Sequence, residues 1–154
     1  MKANTRLFGE IEVSEDKIIT VEQGIIGFPE MKRFTLIFDV EKEGKDTIMW
    51  LQSLDDGCFA MPVMNPKIAV PDYTPNVDDE LLKPLGKLKD EDVYILTTVT
   101  IPQGKVEEIT INLKAPVIIN LANNKGCQLI VEDDYPVKHK IYDILKNRNE
   151  KAGE

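Results

Sequence analysis

Cysteine, histidine and serine are scarce in this sequence, and their scarcity removes several kinds of chemistry. The chain has 154 residues but only two cysteines, Cys58 and Cys127, and one histidine, His139. Two distant cysteines predict neither a disulfide framework nor a zinc site, so both are expected to be small buried residues. Ser14 and Ser53 do not lie in a G-x-S-x-G turn, so no serine nucleophile is indicated.

Long apolar runs are also missing. No segment approaches the roughly 18–20 apolar residues that span a bilayer. The charged, alternating start of the chain has no apolar signal-peptide core, and no glycine-rich nucleotide-binding motif is present. We therefore expect a cytoplasmic protein that has no metal, cofactor or membrane contact.

Positive charge is in deficit. Against 27 acidic residues stand 19 Lys plus Arg, which gives a formal net charge of −8. This balance excludes a direct nucleic-acid binder, because phosphate backbones require clustered basic residues. Residues 72–92 carry seven acids and three lysines. This segment is either a solvated loop or a surface that attracts a basic protein and repels a polyanion.

What the sequence has in abundance is period-2 alternation. The runs are short, rich in β-branched residues and bounded by turn residues, a pattern typical of strands. They begin near residues 7, 18, 34, 48, 59, 93, 109, 117 and 127. Several runs carry an apolar residue of the opposite parity, which favours strands covered on both faces. The sequence predicts an all-β, mainly antiparallel fold, either a small β-barrel-like domain or two packed sheets.

Helix is predicted to be minor. Asn76 is expected to cap a turn that starts near Val77, and residues 138–147 show helical spacing. Pro62 and its neighbouring prolines predict an edge or bulged strand after Phe59. We expect one domain over residues 1–148 and a frayed tail over residues 149–154.

An ordered series of short motifs resembles the FliW family of bacterial flagellar assembly factors. The resemblance extends from about residue 1 to residue 142, and the collinear order of the motifs makes it specific. The matching segments are Asn4–Ile11, Gly24–Phe28, Trp50–Ser53 with Asp55-Asp56, Asn65-Pro66, Pro71–Tyr73, Thr98–Pro102, Asn112–Pro116, Asn120, Asp134–Pro136 and His139.

The resemblance implies a binding protein and not an enzyme. FliW-like proteins have a small antiparallel β-barrel-like fold and bind two partners: flagellin, through its C-terminal region, and the RNA-binding translational regulator CsrA. Free FliW sequesters CsrA and so relieves repression of the flagellin message. Flagellin that accumulates occupies FliW and releases CsrA, which couples flagellin synthesis to export.

Two sets of residues are candidates for these contacts. Acidic side chains are expected to supply negative potential towards a basic partner: Asp55, Asp56, Asp72, Asp78, Asp79 and Glu80. Apolar side chains of the nominally wet strand faces are candidates for a groove that accepts an amphipathic helix, or else are core beneath a loop: Phe8, Phe28, Met49, Leu96 and Ile101.

Two other functions are open at this point. A β-barrel of this size can bind a small ligand or a sugar, and Trp50, Gln52, Asn112 and Asn120 are the polar groups available for it. A hydrolase that uses clustered carboxylates ranks lowest, because acid/base work requires one buried carboxyl with a raised pKa.

Overall fold

The architecture is a closed β-barrel with a separate hairpin beside it. The computed structural model describes residues 1–37, 48–144 and 146. The strands of this part of the chain are β1 Lys2–Thr5, β2 Gly9–Glu12, β3 Ile19–Thr20, β4 Arg33–Ile37, β5 Met49–Ser53, β6 Ala60–Met64, β7 Val93–Thr100, β8 Thr110–Ile111, β9 Val117–Asn120, β10 Lys125–Gln128 and β11 His139–Lys140. One short helix, α1, covers Asp79–Leu82, and 3-10 turns cover Glu15–Lys17, Pro66–Ile68, Lys83–Leu85, Asp90–Asp92 and Val106–Glu108.

Seven strands form the ring of the barrel, in the order β7, β6, β5, β4, β3, β10 and β9, and the pairing of β9 with β7 closes it. All neighbours in the ring are antiparallel except β3 and β10, which share a single parallel pair, Thr20 with Lys125. β1 pairs only with β2. The expectation of an all-β, mainly antiparallel barrel is therefore confirmed.

Strand β7 is the longest strand and has two partners on one side. Its first half pairs with β9, from Val93 opposite Asn120 to Leu96 opposite Val117. Its second half pairs with β8, whose other edge pairs with β11. Between β8 and β9 the chain makes a tight turn in which the Asn112 side chain accepts the N–H groups of residues 114 and 115.

The hydrophobic core lies both inside the barrel and outside it. Phe34, Leu51, Val63, Leu96 and Val117 are fully buried in the interior. Two outer clusters cover the other faces. One centres on Met64, Tyr73, Ile111, Leu113 and Ile141, and the other on Leu85, Ile118, Cys127, Leu129 and Val131. The expectation that strands are covered on both faces is confirmed.

Several local predictions were wrong. Residues 138–147 are not one helix, because His139–Lys140 forms β11, which satisfies the free edge of β8. Helical structure there is described at residues 142–144 and 146, and residue 147 and the tail 149–154 lie outside the described residues. β6 is not an edge strand. It tolerates Pro62 because its ladder with β7 extends only over Val63 and Met64.

Two single residues also differ from expectation. Cys58 is exposed in the turn between β5 and β6, whereas Cys127 is buried as predicted. The N-cap of α1 is Asp78, whose side chain accepts the N–H of Glu80, and not Asn76. Asn76 instead donates its backbone N–H and its side-chain amide to the Asp133 carboxylate.

The turn between β5 and β6 packs directly against the β1–β2 hairpin through Gly57. Its carbonyl accepts the N–H of Arg6, and a Cβ added at residue 57 would lie 1.9 Å from the carbonyl oxygen of Asn4. We expect Gly57→Ala to reduce the free energy of unfolding by about 1–3 kcal/mol, because the hairpin must move away. Urea unfolding measures this. Cys58→Ala in the same turn is the control, because the Cys58 side chain is exposed, and an equal or larger loss in the control would contradict the prediction.

Candidate partner-binding surfaces

Residues 72–92 form an acidic layer on the outside of the barrel. This layer crosses β9 and β10, and its own apolar side chains, with Leu85 fully buried, cover the outer cluster beneath. Its carboxylates point the other way. The exposed acids of the layer are Asp72, Asp78, Asp79, Glu80, Asp90 and Glu91. The structure therefore brings four of the predicted acidic candidates together on one surface.

The acidic layer is held at both ends by side-chain hydrogen bonds. The amide of the fully buried Asn120 donates to the carbonyl oxygens of Leu85 (2.9 Å) and Lys87 (3.1 Å). At the other end, the Asp133 carboxylate accepts the backbone N–H of Asn76 at 2.7 Å and its side-chain amide at 3.2 Å. These bonds hold the backbone of the acidic layer against the barrel, and at its surface the Glu80 carboxylate pairs with Lys83 at 2.9 Å.

The other two acidic candidates lie elsewhere. Asp55 and Asp56 occupy the β5–β6 turn, and β4 and β3 separate β5 from β10 in the ring. Asp55 accepts the N–H groups of Lys32 and Arg33 at 2.8 Å each and pairs with the Arg33 guanidinium at 3.0 Å. Asp56 accepts the N–H of Cys58. Both residues stabilise a turn and are not part of the acidic layer.

The Asp55 contacts predict acid sensitivity of the fold. Burial by itself raises the pKa of Asp55, but the hydrogen bonds from Lys32 and Arg33 and the Arg33 charge bring its pKa below the ordinary value of 3.8. When the pKa of a carboxyl is lower in the folded chain than in the unfolded chain, its ionisation stabilises the fold. This contribution is complete at a pH above the unfolded-state pKa and is lost as the pH falls through the folded-state pKa.

We therefore expect Asp55→Asn to destabilise the fold at pH 7, and the difference from the wild type to shrink below about pH 4. Thermal unfolding at a series of pH values measures this. Glu107→Gln, at an exposed residue of another turn, is the control. A difference between Asp55→Asn and wild type that does not change with pH would contradict the assignment.

The five apolar candidates separate into two groups. Met49 and Leu96 are 5% and 0% exposed and belong to the barrel interior, so of the two alternatives given for them they are core and do not line a surface groove. Phe28 and Ile101 are 45% and 44% exposed. Phe8 is half-buried, with its ring 6.3 Å from that of Trp50. Phe28 packs on Phe59, with ring centroids 4.8 Å apart.

An apolar groove of about 300 Å³ that was not predicted from the sequence lies at the end of the barrel. Three exposed aliphatic side chains line it: Ile26, Ile130 and Val137, at 49%, 59% and 56% exposure. Gln128 forms part of the lining and fixes it, since its side chain accepts the N–H of Ile26 at 2.9 Å and donates to the Ala115 carbonyl at 3.1 Å. Ile26 and Val137 come from non-strand segments, so the strand periodicity did not mark them.

The groove and the acidic layer meet at one residue. The Asp133 carboxylate holds Asn76 of the acidic layer, and its main-chain carbonyl accepts the Lys114 ammonium of the groove at 2.5 Å. Asp133 is therefore contacted both by a residue of the groove and by a residue of the acidic layer.

Three of the polar residues considered for a small-ligand site, Gln52, Asn112 and Asn120, form hydrogen bonds with the backbone. The Gln52 amide donates to the carbonyls of residues 53, 57 and 59, and Asn120 and Asn112 hold backbone turns. Asn112 also lines the apolar groove, but Gln52 and Asn120 are fully buried, so the three groups do not converge on one cavity. In the described part of the chain, no three His, Cys, Asp or Glu residues are grouped as metal ligands.

The buried cysteine and the helices of the described residues do not add a further candidate site. Burial raises the pKa of the Cys127 thiol to about 11, so the group is protonated at neutral pH. Over residues 1–37, 48–144 and 146, no helix is both long enough and apolar enough to cross a membrane.

The fold and these surfaces define a small β-barrel protein with an acidic face and an apolar groove. The sequence profile described as "FliW protein" matches residues 2–141. The chain belongs to the FliW family, whose curated members are named flagellar assembly factors.

Known proteins similar to this chain agree over nearly its whole length. The flagellar assembly factor FliW of Lachnospira eligens is 49% identical over 148 residues, covering 95% of this chain and 97% of the relative. The factor of the same name from Thermotoga neapolitana is 45% identical over 147 residues, covering 95% and 96%. A solved structure, the crystal structure of the flagellar assembly factor FliW, aligns with a TM-score of 0.82 and 31% identity, covering 92% of this chain and 97% of the other.

Proposed function

We propose that this flagellar assembly factor is a non-enzymatic cytoplasmic protein that binds two partners, flagellin and CsrA. It binds flagellin through the flagellin C-terminal region. It binds CsrA and opposes the binding of CsrA to the flagellin message, so that flagellin synthesis follows export. The observation that carries the proposal is the presence of an acidic layer and an apolar groove that share Asp133 as a common support.

The acidic layer supports the CsrA part of the proposal. A protein that holds RNA must present basic residues to its phosphates. When a chain of charge −8 docks beside such a surface, its field lowers the affinity for RNA without occupying the RNA site. The exposed carboxylates of residues 72–91 supply part of that field.

Exposed apolar residues support the flagellin part. Phe28 and Ile26 lie on the same loop, and Ile26 lines the groove with Ile130 and Val137. Exposed apolar patches on a small protein are typical of partner-binding surfaces. Binding at the groove reaches the acidic layer through Lys114 and Asp133, which gives a physical reason for the two partners to exclude each other.

Titration calorimetry tests the proposal with purified CsrA and a flagellin C-terminal peptide, added separately and then together. We expect each to bind alone, and saturation with the flagellin peptide to weaken CsrA binding at least tenfold. An unrelated peptide of equal length and charge is the control. Absence of binding by both partners would overturn the proposal, and independent binding of both would overturn the switch.

A further inference from the structure

The strand that ends at Gln128 continues as an extended chain with one paired edge and one open edge. Beyond β10, the N–H of Leu129 donates to the Pro116 carbonyl at 3.3 Å and the N–H of Val131 donates to the Lys114 carbonyl at 2.9 Å. Because successive residues of an extended chain direct their N–H and C=O groups to opposite sides, those of Ile130 face away from this partner, as does the N–H of Glu132, where the chain bends.

These outward backbone groups have no protein partner in the described part of the chain: neither Ile130 nor Glu132 donates or accepts a backbone hydrogen bond there. The loop that carries Ile26 closes the edge at Gln128, where the side-chain bond between them lies. The open edge therefore begins at Ile130. It borders the apolar groove, since Ile130 lines that groove.

An open strand edge beside an apolar groove is suited to an added strand. Main-chain donors and acceptors of the edge give affinity, and the groove accepts alternate side chains of the added segment. In a helix the backbone N–H and C=O groups bond to each other. A helix in the same groove would therefore leave the outward backbone groups of Ile130 and Glu132 without protein partners.

The charge of the groove indicates what the added segment carries. Lys114 lines the groove and donates to the carbonyl oxygen of Asp133. Among residues 1–37, 48–144 and 146, no carboxylate lies within 4.0 Å of its ammonium, and the Asp133 carboxylate is occupied by Asn76. A cation without a carboxylate in an apolar groove favours an occupant that supplies one.

We propose that the groove binds an extended apolar segment of a partner protein, which adds as a strand to the edge at Ile130 and Glu132 and places a carboxylate against Lys114. The inference rests on the proposed function in that it requires a protein partner, and it names the chemistry of the segment that this partner presents.

Nuclear magnetic resonance on the full chain tests the inference with a synthetic peptide of alternating Val and Thr that ends in Asp with a free carboxylate. We expect shifts at Ile26, Ile130 and Val137, and at least tenfold slower hydrogen exchange of the Ile130 and Glu132 amides. The same peptide ending in an amidated Lys is expected to bind at least fivefold more weakly. Shifts without slower exchange at these two amides would overturn strand addition.

Variants of Lys114 test the charge. Lys114→Met is expected to abolish the preference for the acidic peptide, and Lys114→Glu to reverse it, while Lys105→Glu on an exposed turn leaves it unchanged. The amide spectrum of each variant reports folding, and Lys114→Met keeps the test valid if the charge reversal unfolds the chain. A preference that survives Lys114→Met would overturn the role of Lys114.

A flagellin C-terminal peptide, added in a parallel experiment, separates the inference from the proposed function. Failure of that peptide to bind, with strand addition by the synthetic peptide, contradicts the flagellin proposal and supports the inference. Binding of the flagellin peptide with unprotected Ile130 and Glu132 amides supports the flagellin proposal and overturns the inference. Protection of neither amide by either peptide also overturns it.

Discussion

Leu96→Ala is expected to reduce the free energy of unfolding by about 2–5 kcal/mol, the range for a large-to-small change in a packed core. Leu96 is fully buried in the barrel interior and lies opposite Val117 in the pairing that closes the ring. Truncation removes apolar contacts and leaves a cavity at the closure, where β9 has little freedom to collapse inwards. For a domain of this length the melting temperature falls by roughly 3 °C for each kcal/mol.

Phe28→Ala is the matched comparison for Leu96→Ala. Its ring is 45% exposed and packs mainly on Phe59, so we expect a loss of only about 1 kcal/mol. Flagellin affinity should show the reverse order, with Phe28→Ala weakening it and Leu96→Ala leaving it unchanged for the folded fraction. Circular dichroism and calorimetry measure the two effects. Equal destabilisation by both variants would contradict the assignment of Phe28 to the surface.

Reversal of the charges of Asp78, Asp79 and Glu80 to Lys is expected to uncouple CsrA binding from RNA displacement. The change moves the formal net charge from −8 to −2. All three side chains are exposed, but the Asp78 side chain caps α1, so circular dichroism is recorded to establish that the variant is folded. If the acidic layer acts through its field, the variant binds CsrA but displaces RNA less well, on the order of tenfold.

Salt dependence and a matched variant sharpen this test. The difference between variant and wild type should shrink as salt rises, because the screening length is about 8 Å at physiological ionic strength. A variant with Glu15, Glu107 and Glu108 changed to Lys carries the same net charge but leaves the acidic layer intact. Gel-shift competition with a CsrA-bound RNA measures both. Equal loss in the two variants would mean that total charge matters and the acidic layer does not.

Long alternating runs could be predicted from the sequence, and the faces of those runs could not. The run that begins at Val93 is found as β7, over Val93–Thr100. The two faces of β7, however, differ from those of a strand with one solvent-exposed face. Leu96, on the face expected to be exposed, belongs to the barrel interior, whereas Ile95 and Val99, on the other face, pack in the outer clusters. Alternation identifies two faces but does not tell which one lines the interior when both are covered.

The candidate surfaces could be predicted from the sequence only where their residues are neighbours along the chain. The acidic layer follows from a local excess of carboxylates, so four of its members were found by counting. The groove joins Ile26 to Gln128 and Val137, which come about a hundred residues later in the chain, and the pairing of β3 with β10 brings the two regions together. Strands of two residues, such as β3, β8 and β11, are likewise too short for a periodic signal, because tertiary pairing alone makes them strands.

The single parallel pair between Thr20 and Lys125 has a consequence for how the chain acquires its fold. The two residues are more than a hundred positions apart, so this contact has a large loop-closure cost and belongs to the late, slow part of folding. On the ribosome the ring stays open until residue 125 has emerged, since domains complete their folding only after synthesis of their last elements. The acidic layer rests on β9 and β10, so a nascent or truncated chain that ends before them lacks its support, and only the completed polypeptide presents both surfaces together.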